Sequence, residues 1–244
     1  MMRYKFGIAV ALFVLSIANV YAQKIKRTKI APYMSHYIEV SEPSGLVYYS
    51  NNNSLFIVSD DGDLFETTLD GKILRKAPYE GVDFEAVTVV NDLIYVVEER
   101  HRNVLVFDPK DLKLLRTYHI PYSGGRNKGF ESIAYIPDSR KFILVTEKDP
   151  VYIVELDTAF RQLNIQRFEA ARDISSATYF EGFLYLLSDE DRTIFQLSPK
   201  DYSIIQAWRV PIINPEGIMF LPDRSLRIIS DDREKLYYFK NPNQ

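Results

Sequence analysis

Aliphatic runs that end in a carboxylate occur five times along the chain. The runs are LFIVSDD, IYVVEER, FILVTEK, LYLLSDE and LRIISDD, and their aligned acids are Asp60, Glu99, Glu147, Asp189 and Asp231. Successive acids are separated by 39, 48, 42 and 42 residues. Because a repeat of roughly 40–50 residues is typical of propeller blades, the pattern predicts a propeller with five units.

Other short apolar or alternating segments lie between these runs, separated by turn clusters such as DDGD at 60–63 and DPKD at 108–111. No stretch of 12 or more residues has clean helical periodicity, so we expect very little helix. In the second unit the pattern predicts strands at 85–90, 94–98, 104–107 and 114–120. Four antiparallel strands per unit form a propeller blade.

The first predicted strand of each unit opens on an acid or a serine, and the next residue is always small. The pairs are Ser44-Gly45, Glu85-Ala86, Glu131-Ser132, Ser176-Ala177 and Glu216-Gly217. The innermost strands of a propeller converge on one axis, where large side chains at the same level in five blades would collide. A β-sandwich has no such axis, so the coincidence favours the propeller.

The last unit has no predicted fourth strand before Gln244, whereas YMSHYIEV at 33–40 predicts a lone strand ahead of the first unit. The N-terminal strand can complete the last blade and close the ring, which also covers the blade edges. We therefore predict an all-β, five-bladed β-propeller of four-stranded antiparallel blades over residues 33–244, closed by the N-terminal strand.

The first 22 residues have the pattern of a signal peptide. Arg3 and Lys5 precede an apolar run at 6–18, and Val20-Tyr21-Ala22 provides a cleavage site before Gln23. The apolar run is shorter than the ~20 residues that span a bilayer, so we favour a cleaved signal over a retained anchor. We expect residues 23–32 to be a linker and the mature protein to be periplasmic or secreted, without a stable membrane span.

Composition narrows the class of protein further. A chain of 244 residues with 46% hydrophobic and 26% charged residues suits one domain with a substantial core. The net charge of −3 gives no reason to expect nucleic acid or anionic lipid as a partner. Cysteine is absent, which excludes disulfides, thiol catalysis, cysteine-based zinc sites and an acylated cysteine. We expect a monomer without an organic cofactor.

The end of each second strand and the start of each inner strand lie at the same end of a blade, so the repeated acids share one face. We call Glu85, Glu131 and Glu216 the inner acids and expect them near the axis. The outer acids, Asp60, Glu99, Glu147, Asp189 and Asp231, are expected at the rim. Crowded carboxylates repel one another unless a cation or basic side chains neutralise them.

Two interpretations of this face remain open. Oxygen ligands suit Ca²⁺, or Mg²⁺ that retains its waters, which makes the inner acids candidate metal ligands. Alternatively, the acids pair with the basic residues that follow them, and for the outer acids we favour this structural interpretation. Those basic residues are Arg100, Lys148, Arg192 and Arg233.

Other candidate groups are few. The segment PYSGGRNKGFES at 121–132 holds Arg126 and Lys128 among glycines, which suits either an anion-binding nest or a flexible loop at the funnel mouth. His101 and Asp189 are the candidate proton carriers, and Trp208 is expected to pack in the core. The chain has no nucleophile elbow, HExxH or P-loop motif.

Several segments resemble the SdiA-regulated (YjiK-like) family of bacterial envelope β-propellers. They are EPSGLVYY at 42–49, VDFEAVTV at 82–89, NKGFESIAYI at 127–136, TEKDP at 146–150, DISSATYF at 173–180, LYLLSDEDR at 184–192 and PEGIMFLP at 215–222. The resemblance implies an exported propeller and supplies no reaction. The chain departs from the family at Ala86, Ser132 and Ala177, where the family usually has glycine.

The opening of the inner strands is also similar, more distantly, to that of gluconolactonase-type propellers. That similarity implies a divalent cation in the channel and hydrolysis of lactones, with only the inner acids matching the ligand type.

Two functions follow from these patterns. In the first, the acidic face binds a small molecule or an envelope protein, with Ca²⁺ as a candidate ion. In the second, the protein is a metal-dependent hydrolase of lactones or phosphoesters, with the inner acids as ligands and Asp189 or His101 as the base.

Overall fold

The computed structural model describes residues 25–123 and 129–244. These residues form 21 β-strands and no helix. Accordingly, no helix in the described ranges is long and apolar enough to cross a membrane. The predicted signal peptide at 1–22, Arg126 and Lys128 lie outside the described residues.

The strands form five sheets arranged as five blades, and the first three blades follow the chain in order. Blade 1 consists of β3 (Pro43–Tyr49), β4 (Ser54–Ser59), β5 (Asp63–Thr67) and β6 (Ile73–Lys76). Blade 2 consists of β7 (Phe84–Val90), β8 (Leu93–Glu98), β9 (Asn103–Phe107) and β10 (Leu114–His119). Blade 3 consists of β11 (Phe130–Ile136), β12 (Lys141–Thr146), β13 (Tyr152–Leu156) and β14 (Gln162–Arg167).

The last two blades each include a strand from the start of the chain, which is a fifth strand in blade 4 and the fourth strand in blade 5. Blade 4 consists of β15 (Ser176–Phe180), β16 (Phe183–Ser188), β17 (Thr193–Leu197), β18 (Ile204–Arg209) and β1 (Arg27–Lys29). Blade 5 consists of β19 (Pro215–Phe220), β20 (Leu226–Ser230), β21 (Lys235–Phe239) and β2 (Met34–Tyr37).

Strand β2 completes the fifth blade as predicted. It pairs antiparallel with β21, from Met34 opposite Tyr238 to Tyr37 opposite Lys235. The ring is therefore closed by strands from opposite ends of the chain, which confirms the five-bladed propeller and its closure.

Strand β1 falls within the segment expected to be a linker, 23–32. It pairs in parallel with β18, with Arg27 opposite Ala207 and Lys29 opposite Arg209. All three of its side chains are exposed, so the sequence carries no hydrophobic alternation that would indicate a strand. The outer edge of β18 has backbone N–H and C=O groups without partners in its own blade, and β1 forms hydrogen bonds with them before the chain reaches blade 5.

The core lies between neighbouring blades, and the second strands are buried on both faces. In β4, Phe56 and Val58 pack with Phe84 of blade 2, whereas Leu55 and Ile57 pack toward blade 5. Because both faces of these strands meet another blade, the sequence shows continuous aliphatic runs rather than alternation.

The small residues of the inner strands stand where blades approach most closely. A Cβ on Gly45 would lie 3.0 Å from the Ala86 Cα atom and from the Glu85 carbonyl oxygen. A Cβ on Gly217 would lie 2.6 Å from a methyl group of Leu46. At these two positions the structure confirms that close packing of the inner strands requires a small residue.

The register of the inner strands explains how their acids reach the axis. In blades 1, 2, 3 and 5 the pairing with the second strand shifts by one residue, and the bulged residues are Ser44, Glu85, Glu131 and Glu216. A β-bulge leaves its extra residue unpaired and turns the side chain away from the ladder.

Blade 4 corrects one prediction. Ser176 pairs with Leu187 in the same way that Ala86 pairs with Val97, so the equivalent of Glu85 is Ser175. The prediction that placed Ser176 there was wrong by one residue, because the two serines are adjacent and only the pairing register distinguishes them.

Candidate functional site

A cavity of about 260 Å³ opens at the end of the blades where the second strands finish. Its described lining contains nine carboxylates and two neutral polar residues, and no Lys, Arg or His. The lining residues are Asp60, Glu85, Glu99, Glu131, Glu147, Asp173, Ser175, Asp189, Asn214, Glu216 and Asp231. We call this space the acidic cavity.

Each outer acid directly follows the last residue of a second strand, and in blades 3, 4 and 5 the hydroxyl of that last residue anchors the turn. The Ser188 hydroxyl donates to Asp173 at 2.6 Å, and the Ser230 hydroxyl donates to the Ile213 carbonyl at 2.6 Å. The Thr146 hydroxyl donates to the Pro150 carbonyl at 3.0 Å. All five outer acids line the cavity together with the inner acids, and in blades 3, 4 and 5 the anchored turn holds the acid in place.

The pairing expected between the outer acids and the basic residues that follow them occurs in one blade among the described residues. Lys148 lies 2.5 Å from the Glu147 carboxylate. Arg100 pairs instead with Asp83, at 2.9 Å. Most outer acids therefore lack an ion-pair partner in the described ranges. Arg192 attracts Asp189 without forming an ion pair, so the structural interpretation accounts fully for Glu147 alone.

At one side of the cavity, two carboxylates of the lining lie close to a third, Asp83, which is outside the lining. Oxygens of Asp83, Glu85 and Glu99 all lie within 4.8 Å of one another. The Gly129 N–H donates to Glu99 at 2.7 Å, and the Glu131 carboxyl contacts Glu85. The predicted trio of inner acids does not form such a group in the described part of the chain, since Glu216 belongs to the opposite side.

Burial dominates the electrostatics of the inner acids in blades 2 and 3. It raises the pKa values of Glu85 and Glu131 well above the usual range, and nearby carboxylates, including Asp60 for Glu85, raise them further. The two carboxyl groups are also hydrogen-bonded to each other. This contact requires a proton held between two acids, as like charges in one site cannot both ionise readily.

Glu216 lies among Asp189, Asp60 and Asp231 on the other side. Burial first, and then repulsion from these carboxylates, raises the pKa of Glu216 to about 8. Burial and the charge of Asp231 also raise the pKa of Asp60 to about 7, although the Asp60 side chain reaches solvent at the cavity mouth. Glu216 and the Glu85–Glu131 pair therefore retain protons near neutral pH.

Sequence reasoning missed Asp83, Asp173, Ser175 and Asn214. Asp173 is buried and accepts the Asp189 N–H at 2.9 Å, and the Asn214 amide donates to Asp231 at 3.3 Å. A signal for three of them existed in the repeat, because the position two residues before each bulged residue, and before Ser175 in blade 4, is polar or glycine. Those positions are Glu42, Asp83, Gly129, Asp173 and Asn214.

The two candidate proton carriers lie in different places. Asp189 lines the acidic cavity, and burial together with the charge of Asp173 raises its pKa. His101 is 57% exposed and pairs with Glu98 at 3.0 Å, outside the cavity lining. Trp208 is fully buried and stacks on Tyr185, as expected for a packing residue.

Solved structures with a similar fold are distant in sequence. Glutaminyl cyclase from Myxococcus xanthus matches with a TM-score of 0.71 at 12% identity, covering 88% of this chain and 98% of that chain. Virginiamycin B lyase from Staphylococcus aureus matches with a TM-score of 0.50 at 16% identity, covering 82% of this chain and 66% of that chain. At these identities the likeness concerns the fold alone.

The family model described as SdiA-regulated matches residues 20–244. The chain therefore belongs to the SdiA-regulated family, which confirms the resemblance found in the sequence.

Proposed function

We propose that this member of the SdiA-regulated family is an exported binding protein whose acidic cavity takes a cationic ligand, with Ca²⁺ as its metal ion. The observation that carries the proposal is a cavity lined by nine carboxylates with no basic side chain in its described lining. Such a site holds a strong negative potential, which attracts cations and favours their binding.

The group on the Glu85 side fits Ca²⁺ in its dimensions. Ca²⁺ binds oxygen ligands at 2.3–2.6 Å, so two oxygens on one ion are at most about 5 Å apart. The oxygens of Asp83, Glu85 and Glu99 meet that limit at 4.8 Å, and Glu131 lies next to them. Mg²⁺ demands shorter distances and a regular octahedron, which makes it the weaker fit.

The cavity is larger than one ion. A water molecule occupies about 30 Å³ of liquid volume, so 260 Å³ has room for an ion with several waters. It also has room for the ammonium group of a small molecule, or for a basic side chain of an envelope protein. The Glu216 side of the cavity would contact that second group, because Glu216 lies apart from the Glu85 cluster.

Thermal unfolding with EDTA and with millimolar Ca²⁺ or Mg²⁺ tests the proposal, since an ion that binds only the native state raises Tm. We expect Ca²⁺ to raise Tm more than Mg²⁺ does, and Glu85→Gln to remove most of the rise. Glu181→Gln is the matched control, because Glu181 is exposed at the opposite end of blade 4 and pairs with Arg224. An unchanged Tm at millimolar Ca²⁺ would remove the metal from the proposal.

One observation favours a second function, metal-dependent hydrolysis of lactones or phosphoesters. Asp189 lies in the cavity, and burial together with the charge of Asp173 raises its pKa, so its carboxylate is a stronger base than that of an ordinary aspartate. A bound divalent ion would lower the pKa of its water. His101 is the weaker candidate because it lies outside the lining.

A panel of lactones and phosphoesters, assayed with millimolar Ca²⁺ or Mg²⁺, separates the two functions. Turnover that Asp189→Asn abolishes while the Ca²⁺-dependent rise in Tm persists would establish the hydrolase. No turnover across the panel, with the rise in Tm intact, leaves the binding function.

A further inference from the structure

A second pocket lies on blade 4, at the same end of the blade as the acidic cavity. Its volume is about 560 Å³, and it is lined by Lys29, Ile30, Ala31, Arg192, Arg209, Val210 and Pro211. It shares no lining residue with the acidic cavity. The proposed function uses none of these residues, and the repeat pattern involves only Arg192, as the basic residue that follows Asp189.

The pairing register brings the three cations together. Lys29 at the end of β1 is the direct partner of Arg209 at the end of β18. Arg192 immediately precedes β17, and its carbonyl accepts the Val210 N–H at 2.9 Å. Adjacent strands are about 4.8 Å apart, and all three residues line the pocket. We call Lys29, Arg192 and Arg209 the cationic row.

None of these three cations has an ion-pair or side-chain hydrogen-bond partner in the described ranges. Asp189 attracts Arg192 through space, but Asp189 lines the acidic cavity. Asp191, which directly precedes Arg192, is paired with Arg172 at 3.0 Å and with Arg27 at 4.0 Å.

Like charges directly opposite each other on neighbouring strands are destabilising. Lys29 and Arg209 stand in that relation, and an anion between them would turn repulsion into two attractive contacts. The rest of the lining is apolar, with Val210 buried and Ile30 packed against the core between blades 4 and 5. The pocket therefore combines a cationic row with an apolar wall.

We propose that this pocket binds a small anionic amphiphile, a molecule with a phosphate or carboxylate head and a short apolar chain. The head would contact Lys29, Arg192 and Arg209, and the chain would lie on Ile30, Val210 and Pro211. The volume falls in the range of about 300–1,000 Å³ that is usual for small-molecule sites.

Isothermal titration with n-octyl phosphate, below its micelle concentration, tests the proposal, with inorganic phosphate as the probe for the head alone. We expect octyl phosphate to bind more tightly than inorganic phosphate, and Arg192→Gln/Arg209→Gln to weaken it at least tenfold. Lys200→Gln is the matched control, since Lys200 is exposed in a turn at the other end of blade 4. It should leave the affinity unchanged.

Removing two cations that repel each other should not unfold the protein. We therefore expect the Tm of the double variant to equal or exceed that of the wild type, which would show that its weaker binding does not come from misfolding. Equal affinities of the wild type and the double variant for octyl phosphate would overturn the proposal. Equal affinities of the wild type for octyl and inorganic phosphate would also overturn it. If the protein cosediments with vesicles that contain anionic lipid but does not bind octyl phosphate, the three cations bind a membrane surface, and the proposed small-molecule site is refuted.

Discussion

Glu216→Gln should make the ion-free protein more stable at neutral and alkaline pH. Glutamine has nearly the same size and shape as glutamate but carries no charge. Glu216 accepts no hydrogen bond among the described residues, and its neighbours Asp189, Asp60 and Asp231 all repel its charge. The substitution therefore removes a repulsion without removing a stabilising contact.

The pH dependence follows from the pKa of the folded state. The folded pKa of about 8 lies above the ordinary 4.5, so the native state holds more protons than the unfolded state between these values. Stability of the wild type therefore falls as pH rises through that window. At 1.36 kcal/mol per pKa unit, the advantage of the variant grows from nearly zero below pH 4.5 to about 3 kcal/mol at pH 7. It levels off at about 5 kcal/mol above pH 8, an upper limit because neighbouring carboxyls titrate as a coupled set.

Urea unfolding of both proteins in EDTA at several pH values between about 4 and 9 measures this difference. In thermal melts, about 3 kcal/mol corresponds to a Tm higher by roughly 6–12 °C for a domain of this size. Glu181→Gln removes only an exposed ion pair with Arg224, so it should lower stability by at most about 1 kcal/mol, with no rise toward alkaline pH.

A Glu216→Gln variant that is less stable than the wild type at pH 8 would refute the reasoning. That result would mean that Glu216 has a stabilising partner and that the ring of acids is not self-repelling. A stability difference that stays constant between pH 5 and 8 would refute it equally, because the folded pKa of Glu216 would then be ordinary.

Three further results are expected. Glu66→Gln should lower the free energy of unfolding by about 2–3 kcal/mol at neutral pH. Burial alone would raise the pKa of Glu66, but hydrogen bonds from Arg75 and two other side chains hold that pKa below its usual value. The stabilisation from the Glu66 charge is lost as pH falls through the lowered pKa of the folded state. Urea titrations should therefore show that the variant's loss of stability relative to the wild type shrinks below pH 4.5. A loss that does not depend on pH would contradict the role of the charge. Gly217→Ala should lower the free energy of unfolding by about 1–3 kcal/mol, because its methyl group would approach Leu46 to 2.6 Å and Ile229 to 2.7 Å. An unchanged urea midpoint would show that the neighbouring blades can move apart enough to accommodate the methyl group. Ca²⁺ binding should release protons at pH 7 and few at pH 9, as measured by calorimetry in buffers of different ionisation enthalpy; no release at pH 7 would place the ion away from the protonated acids.

Much of the candidate site could be located from the repeat. Aligning the second strands placed Asp60, Glu99, Glu147, Asp189 and Asp231 at one end of the blades, and the cavity lining contains all five. Their depth could not be predicted, because turns anchored by residues such as Ser188 and Ser230 direct them inward. The grouping of Glu85 with Asp83 rather than with Glu216 could not be predicted either, because it depends on which side chains are close in the folded structure.

The sequence by itself determined the number of blades, the burial of the second strands and the closure of the ring. These features depend on local hydrophobic patterns and on the fixed periods of strands and repeats, which each segment carries on its own. Only the tertiary structure decided that Ser175 rather than Ser176 faces the cavity, that β1 joins blade 4, and that Glu216 retains a proton near neutral pH. Those features depend on pairing register and on charges brought together from distant parts of the chain, which no single segment encodes.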